Sequence, residues 1–432
     1  MSIAETSPAA ATGGTDVRAE LLAADADFLW HPWSPSRVNP DTVLAVSGDG
    51  CEIRDADGRT YLDAKSSGLN ATLGYGSRPV IDAVAGQLAR LMTYDTGEGA
   101  NEPAIRLAER IAGLTGPRLT RTFFCNSGSE AAEAAIRIAR FYHAVRGERQ
   151  RGLVVSFENA YHGATLGAAA SSAGASPVSA EFTPAGFVTL PGRTDALRDF
   201  LAGQGDRTAA VLLEPVQARG AHQVPDDRLR EVRELCRRYG ALLILDEVTT
   251  GFGRTGRMFG YQHAGVEPDL LTTSKGLAAG YMSLAAVTTT EHVFDTFDTH
   301  RKQAGFVHGH THSGHAAACA AGLAVLDVIE RDGLVANAAA RGTQLLTALD
   351  GVRGLPFVRD VRGRGLLAAV EFDGSPRASL VRRRMKEDGI LVRRTGPNIV
   401  IAPPLIIDAG RTDRIAEAIT AAAEAAADLK TT

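Results

Sequence analysis

The chain has 432 residues, too many for one simple core, and its 44% apolar and 22% charged residues are those of an ordinary globular protein. Forty-six basic against 50 acidic residues leave a formal net charge of −4, which gives nucleic acid or an anionic membrane no electrostatic hold. Cys51, Cys125, Cys236 and Cys319 are scattered without a C-x-x-C pair, the usage of buried thiols in a reducing cytoplasm and not of a disulfide frame or zinc cluster.

Residues 1–20 are rich in Ala, Thr, Ser and Gly, with no basic start and no apolar core, and read as a disordered tail and not a signal peptide. No apolar run reaches bilayer length, so a soluble cytoplasmic protein is expected. Residues 21–70 include VLAVSGDGCEIRDADGRTYLDA, whose alternation around Ala56-Asp57-Gly58 predicts a small antiparallel sheet.

From 71 to 315 two patterns alternate. NEPAIRLAERIAGL and LREVRELCRRYG repeat apolar residues three and four apart, as amphipathic helices do. TRTFFC, GLVVSF, AAVLLE and ALLILDE are short apolar runs between such helices, as in a mostly parallel sheet covered on both faces. Residues 316–432 open with a helix over Ala316–Ile329 and close with one over Asp413–Leu429, enclosing strand-like VRDVRGRGLLAAVEF and GILVRRTGPNIVIAPPLI, an α+β unit. No fixed-period repeat is present.

Chemistry-bearing residues cluster where apolar runs end. Asp246 and Glu247 follow ALLIL, and Glu214 follows AAVLL; beyond strand ends is where α/β sheets place ligands. Ser127 and Glu130 have capping-box spacing after TFFC, and a helix start with Gly128 behind a Ser-Gly-Ser turn suits a phosphate. Tyr161 and His162 follow GLVVSF, where an aromatic could cover a flat ligand. Lys275 lies between apolar LLTTS and glycines, where a lysine screened from water can become neutral enough to attack a carbonyl. Taken singly each has a plainer reading: Asp246 a cap, Glu214 a turn, the Ser127 box without ligand, Tyr161 a packed loop aromatic, Lys275 a surface charge. Together, phosphate cradle, aromatic, acid and lysine in that order suit pyridoxal phosphate, whose aldehyde forms a Schiff base with a lysine and whose ring nitrogen pairs with an acid.

From WHPWS at 30–34 to IAPPLI at 401–406, and above all in DEVTTGFGRTG with SKGL downstream, the sequence resembles the class III (ω-type) aminotransferases. The resemblance implies a fold type I transferase, with a large domain of mostly parallel sheet and a small α+β domain built from both termini. It implies Lys275 as the Schiff-base lysine and proton shuttle and Asp246 as the ring-nitrogen partner. Val248 and Tyr161 would pack on the two ring faces, Gly128 and Ser129 would hold the phosphate, and Glu214 would lie near the ring hydroxyl or the substrate side. Arg393 matches the arginine that binds a substrate carboxylate, with Arg394 as the other candidate, and Trp33 matches an aromatic wall of the substrate pocket. Arg362 reads as structural. Thr249 stands where many members carry a glutamine.

Within the class the chain is most similar to the diaminopelargonate (adenosylmethionine-8-amino-7-oxononanoate) aminotransferase group, through LWHPWS, KGLAAGYMSLAAVTTTEHVF and HGHTHSGHAAACAA. It lacks that group's substrate residues, having Gly68 and Leu69 for a tryptophan pair, Ala164 for an acid and Thr290 for an arginine. The implied reaction carries an amino group from an amine or ω-amino donor to a keto acid, in a homodimer with shared active sites. An aminomutase, a decarboxylating transaminase or a racemase would use the same coenzyme, whereas a non-catalytic binding protein conflicts with the presence of both Asp246 and Lys275.

His308, His310, His312 and His315 in HGHTHSGH invite a metal reading by spacing alone. The resemblance implies instead that Thr311 reaches the partner subunit's coenzyme phosphate, with Gly309 letting the chain pass close, and that no metal is bound.

Overall fold

The computed structural model describes residues 14–33, 42–173, 181–300 and 306–427. Residues 1–13 of the expected tail and Ser34 of WHPWS lie outside them. A helix, Gly14–Phe28, begins inside the stretch expected to be disordered, where Asp16, Arg18 and Glu20 follow the Ser and Pro of the first residues and lead into Leu21 and Leu22. Among the described residues no helix is long and apolar enough to cross a membrane.

Strands β1 (Ala45–Asp49), β2 (Glu52–Asp55) and β3 (Thr60–Asp63) form the expected antiparallel meander. The central sheet holds β4 (Leu119–Cys125), β5 (Leu153–Phe157), β6 (Phe187–Leu190), β7 (Thr208–Leu213), β10 (Leu242–Asp246), β11 (Leu270–Thr273) and β12 (Ala285–Thr290). Between β7 and β10 lies a small ribbon, β8 (Val216–Gln217) with β9 (His222–Gln223). The central order is β4-β12-β11-β10-β7-β5-β6. β12 alone runs against its neighbours, so six strands end at one edge.

Both faces of this sheet are covered, which is why β7 and β10 are buried at every position. Leu242 and Ile244 face the helix Gly128–Val145 through Ala131, Ala134, Ala135 and Ile138. Leu243 and Leu245 belong to the larger core on the other face, with Leu107, Leu229 and Val325 from three further helices. The two-residue alternation along one strand thus feeds two cores.

The C-terminal part carries β13 (Val358–Arg364), β14 (Leu367–Phe372), β15 (Ile390–Leu391), β16 (Arg393–Thr395) and β17 (Asn398–Ile401), between the helices Ala316–Arg331 and Ala409–Glu424. β13, β14, β17 and β16 make an antiparallel sheet, while β15 pairs in parallel with β3. That pairing joins the N-terminal meander to the C-terminal part.

Arg254 ties this part to the central one. Its side chain is buried; Nη1 donates to Leu366 O at 3.0 Å and to Pro403 O, and Nη2 to Ser66 Oγ at 3.4 Å. Its backbone carbonyl accepts from Leu366 N at 2.9 Å. Removing the side chain strands these acceptors and leaves a large void. Arg254→Ala is expected to lower stability by about 3 kcal/mol, seen as an earlier denaturant midpoint; an unmoved midpoint would show that the tie contributes nothing.

Candidate active site

Five co-directional strands deliver the site. β10 ends on Asp246, β11 is followed by Ser274 and Lys275, β7 by Glu214, β5 by the turn with Tyr161 and His162, and β4 by the helix start at Gly128. Ligands bind beyond the carboxyl ends of such strands because their loops converge there.

Asp246 is buried and fully engaged: its Oδ2 meets His162 Nδ1 at 2.7 Å, and its Oδ1 accepts from Val248 N at 3.0 Å and Thr272 Oγ1 at 3.2 Å. His162 Nε2 is buried without a partner.

Lys275 is part-buried in a tight turn, and its Nζ donates to Thr249 Oγ1 at 2.5 Å. Burial first and the Arg393 charge second lower its pKa to about 8, against the opposing fields of Asp246 and Glu214. The amine is therefore neutral far more often near pH 8 than a surface lysine. Glu214 is buried, with Oε2 accepting from Tyr161 N at 3.0 Å and Oε1 from Ala218 N at 2.9 Å. Burial raises its pKa to about 7 despite the opposing His162, with Asp246 raising it too. Glu247 is also pushed up to about 7 by burial, but its oxygens take the N–H groups of Gly260 and Tyr261, at 2.8 and 2.7 Å, and so hold the following turns.

The helix Gly128–Val145 starts as its sequence suggests, with Ser127 Oγ accepting from Glu130 N at 3.2 Å. Glu130 reaches back to Asn126 N, at 2.7 Å, one residue earlier than a closed capping box requires. Among the described residues, the N–H groups of Gly128 and Ser129 have no acceptor. A Cβ on Gly128 would sit 2.8 Å from Val248 Cγ1, so glycine alone lets the helix end come this close. Ser129 Oγ accepts from Ala164 N at 3.1 Å. Free N–H donors, a close-fitting glycine, a desolvated lysine and a buried acid are a donor set suited to a phosphorylated aldehyde with a basic ring.

A cavity of about 1070 Å³ opens on Lys275, lined also by Ser67, Gly68, Ser127, Gly128 and His312. Asp246, Glu214, Tyr161, Val248, Arg393 and Trp33 do not line it and gather around one another instead. Tyr161 is half-buried, with the Trp33 ring edge-on at 5.8 Å; Trp33 itself is exposed on the single chain. Arg393 points inward from β16 and is desolvated, whereas its neighbour Arg394 is exposed and donates to Gly396 O at 3.1 Å. Arg362 spends its guanidinium on Gly220 O, Asp360, Glu371 and Asn398. Thr311 and Gly309 are exposed and meet none of these residues within one chain. The histidines around them split into two pairs: His308 with His310, ring centroids 4.9 Å apart, and His312 with His315 at 5.8 Å. Among the described residues no three His, Cys, Asp or Glu side chains form a metal-binding group.

Two residues of the site escaped the sequence reading. His162 was visible only as Tyr161's neighbour, and nothing near it signalled a bond to Asp246, 84 positions away. Arg219, whose Cζ lies 4.8 Å from the Tyr161 ring centroid, stands in no motif.

The model of the aminotransferase class-III family matches residues 34–423. The taurine–pyruvate aminotransferase of Bilophila wadsworthia is 34% identical, over 93% of this chain and 96% of that protein. The adenosylmethionine-8-amino-7-oxononanoate aminotransferase of Geobacter sulfurreducens is 34% identical, over 91% and 95%. The solved ω-transaminase of Pseudomonas jessenii, in complex with PMP, superposes with a TM-score of 0.90 at 28% identity, over 94% of this chain and 98% of that one.

In the ligand-free protein, trapping of a small aromatic aldehyde on Lys275 by borohydride should rise with pH around a midpoint near 8. The sign follows from the lowered value: the reactive neutral amine predominates above it and disappears below it. Peptide mapping reads the site; a midpoint at the ordinary lysine value would contradict the desolvation.

Proposed function

The chain belongs to the class-III aminotransferases and is a pyridoxal-phosphate-dependent enzyme of amino-group transfer; from that premise we propose the part each side chain plays. The observation that supports the assignment is the meeting of Asp246, Lys275 and the free N–H groups of Gly128 and Ser129 at one sheet edge.

Bound there, the coenzyme supplies an aldehyde that condenses with amines and a cationic ring that takes up the electrons of a broken Cα–H bond. Lys275 would hold it through Nζ, and the same amine, when free, would accept and return the proton of the substrate carbon. Its lowered pKa suits both tasks, since a base must be deprotonated at working pH to accept a proton. Thr249 accepts a hydrogen bond from the amine and fixes its resting position. Asp246 keeps the ring nitrogen protonated, and His162 and Thr272 hold the carboxylate in place for it. Val248 and Tyr161 would confine the ring, Gly128 and Ser129 would hold the phosphate, and Glu214 would serve the ring-hydroxyl side.

Arg393 takes the carboxylate of the keto acid, which a planar guanidinium grips at two points. Trp33 walls the substrate side through its contact with Tyr161. The enzyme works as a cytoplasmic homodimer in which Thr311, exposed on its own chain, and Gly309 serve the neighbouring site. The donor is an amine or ω-amino compound, and Gly68 widens the cavity where the diaminopelargonate group carries a tryptophan.

A panel of amine donors incubated with pyruvate or 2-oxoglutarate tests this, with alanine or glutamate as the product measured. Lys275→Ala is expected to lower turnover on the order of 10³-fold and to abolish retention of coenzyme after borohydride reduction. Cα–H exchange with no keto acid ever aminated would point to another reaction of the same coenzyme.

A further inference from the structure

The carboxylate role of Arg393 accounts for one anionic group, yet a second guanidinium stands beside it. Arg219 follows Ala218 in the loop between β8 and β9, and its Cζ lies 4.8 Å from the centroid of the Tyr161 ring. Its Nη1 donates to Ala173 O. Arg393 lies opposite Val400 in the β16–β17 pair, and Val400 packs with Ala218 and Ala221 in one buried cluster. The loop of Arg219 and the strand of Arg393 are therefore joined side by side. Arg362 pins that junction, with Nε on Gly220 O at 2.8 Å and Nη2 on Asn398 Oδ1 at 2.6 Å.

Among the described residues neither arginine has a carboxylate partner. Of the two acids whose fields reach Tyr161, Asp246 is bonded to His162, Val248 N and Thr272, and Glu214 to Tyr161 N and Ala218 N, with burial pushing Glu214 toward neutrality near pH 7. The ionisation of Arg393 is depressed by burial and then by the field of Arg219, with Tyr161 opposing. Lys65 is depressed by burial too, with Asp63 opposing and Arg382 and Arg393 adding to the depression. Arg219 and Arg393 are like charges with no carboxylate bonded to either, and an anion that enters relieves their repulsion. A single carboxylate has one planar edge for one guanidinium fork.

We propose that Arg219 and Arg393 form a two-point anion clamp, so that the keto-acid acceptor carries two acidic groups, as a dicarboxylate such as 2-oxoglutarate does, and not one as in pyruvate. The proposal rests on the reading of Arg393 as the substrate-carboxylate residue.

With one amine donor and the holoenzyme, kcat/KM is measured for 2-oxoglutarate and for pyruvate. The wild type should favour 2-oxoglutarate, and Arg219→Gln should lower the ratio of the two by about 10- to 100-fold, the worth of a charge-assisted hydrogen bond. The loss should fall mainly in KM, and Arg219→Lys should recover part of it. Calorimetry with the unreactive pair glutarate and butyrate should show the same preference, again removed by Arg219→Gln. An unchanged ratio in Arg219→Gln, or a wild type that favours pyruvate, overturns the clamp, since Arg219 then only supports Tyr161 or shares one carboxylate. Arg393→Gln separates the two readings. If it weakens both keto acids while the Arg219 ratio stays fixed, the clamp alone fails; if it weakens neither, the carboxylate role of Arg393 fails.

Discussion

The site is organised by a carboxylate kept out of water at the end of β10. Burying an acid without partners costs several kcal/mol, so Asp246 dictates what surrounds it. It needs Nδ1 of His162 from the turn after β5, a hydroxyl from β11 and the N–H of Val248, at 2.7, 3.2 and 3.0 Å. Those donors coincide only if β5, β10 and β11 point the same way and end level. The parallel sheet is thus more than a scaffold; its strand direction and register are conditions for keeping one charge where a ring nitrogen can use it.

The same low-dielectric setting sorts the other ionisable groups. Desolvation moves Lys275 down to about 8 and Glu214 up to about 7, so both approach neutrality from opposite sides. Asp246 favours the protonated lysine through its field, while Arg393 and burial outweigh it. A basic group poised in this range can bond covalently, release and move a proton without large energetic cost at any stage. Glu247, adjacent to Asp246 in sequence, meets the same burial but is consumed by three local donors, Thr250, Gly260 and Tyr261, and has no part in the chemistry. Neighbouring carboxylates differ in role because the chain turns between them.

Much of this was legible. Apolar runs ending in Asp246, Glu214 and Lys275, and the Ser127 helix start, were visible because strand burial and capping are local effects with local spacing. The α/β class and the family resemblance followed, and the family model and solved neighbours agree with both. What was not legible depends on distant contacts. β6, β11 and β12 have no clear apolar period of their own and are strands because neighbours pair with them. The choice between Arg393 and Arg394 turns on which side chain is withdrawn from water: Arg393 is desolvated and Arg394 is exposed, a difference that the tertiary packing of β16 creates and its sequence does not carry. Helix Gly14–Phe28 was hidden by a compositional reading that stopped at residue 20, just before its leucines, Leu21 and Leu22.

Charge is also graded across the site. Asp246 and Glu214 are buried beside Lys275, and Arg219 and Arg393 stand about Tyr161, with Lys65 and its partner field Asp63 near Arg393. A molecule with an amine or carbonyl at one end and acid groups at the other is driven to a single orientation in such a field. Under the proposed clamp its reactive carbon would meet the lysine, while its acids would stay with the guanidinium groups and away from Asp246 and Glu214. Reversing it would set carboxylate against carboxylate in a medium that screens poorly. Orientation is thus fixed before any shape-specific contact is made, which leaves the cavity wall around Gly68 free to vary with the donor's bulk.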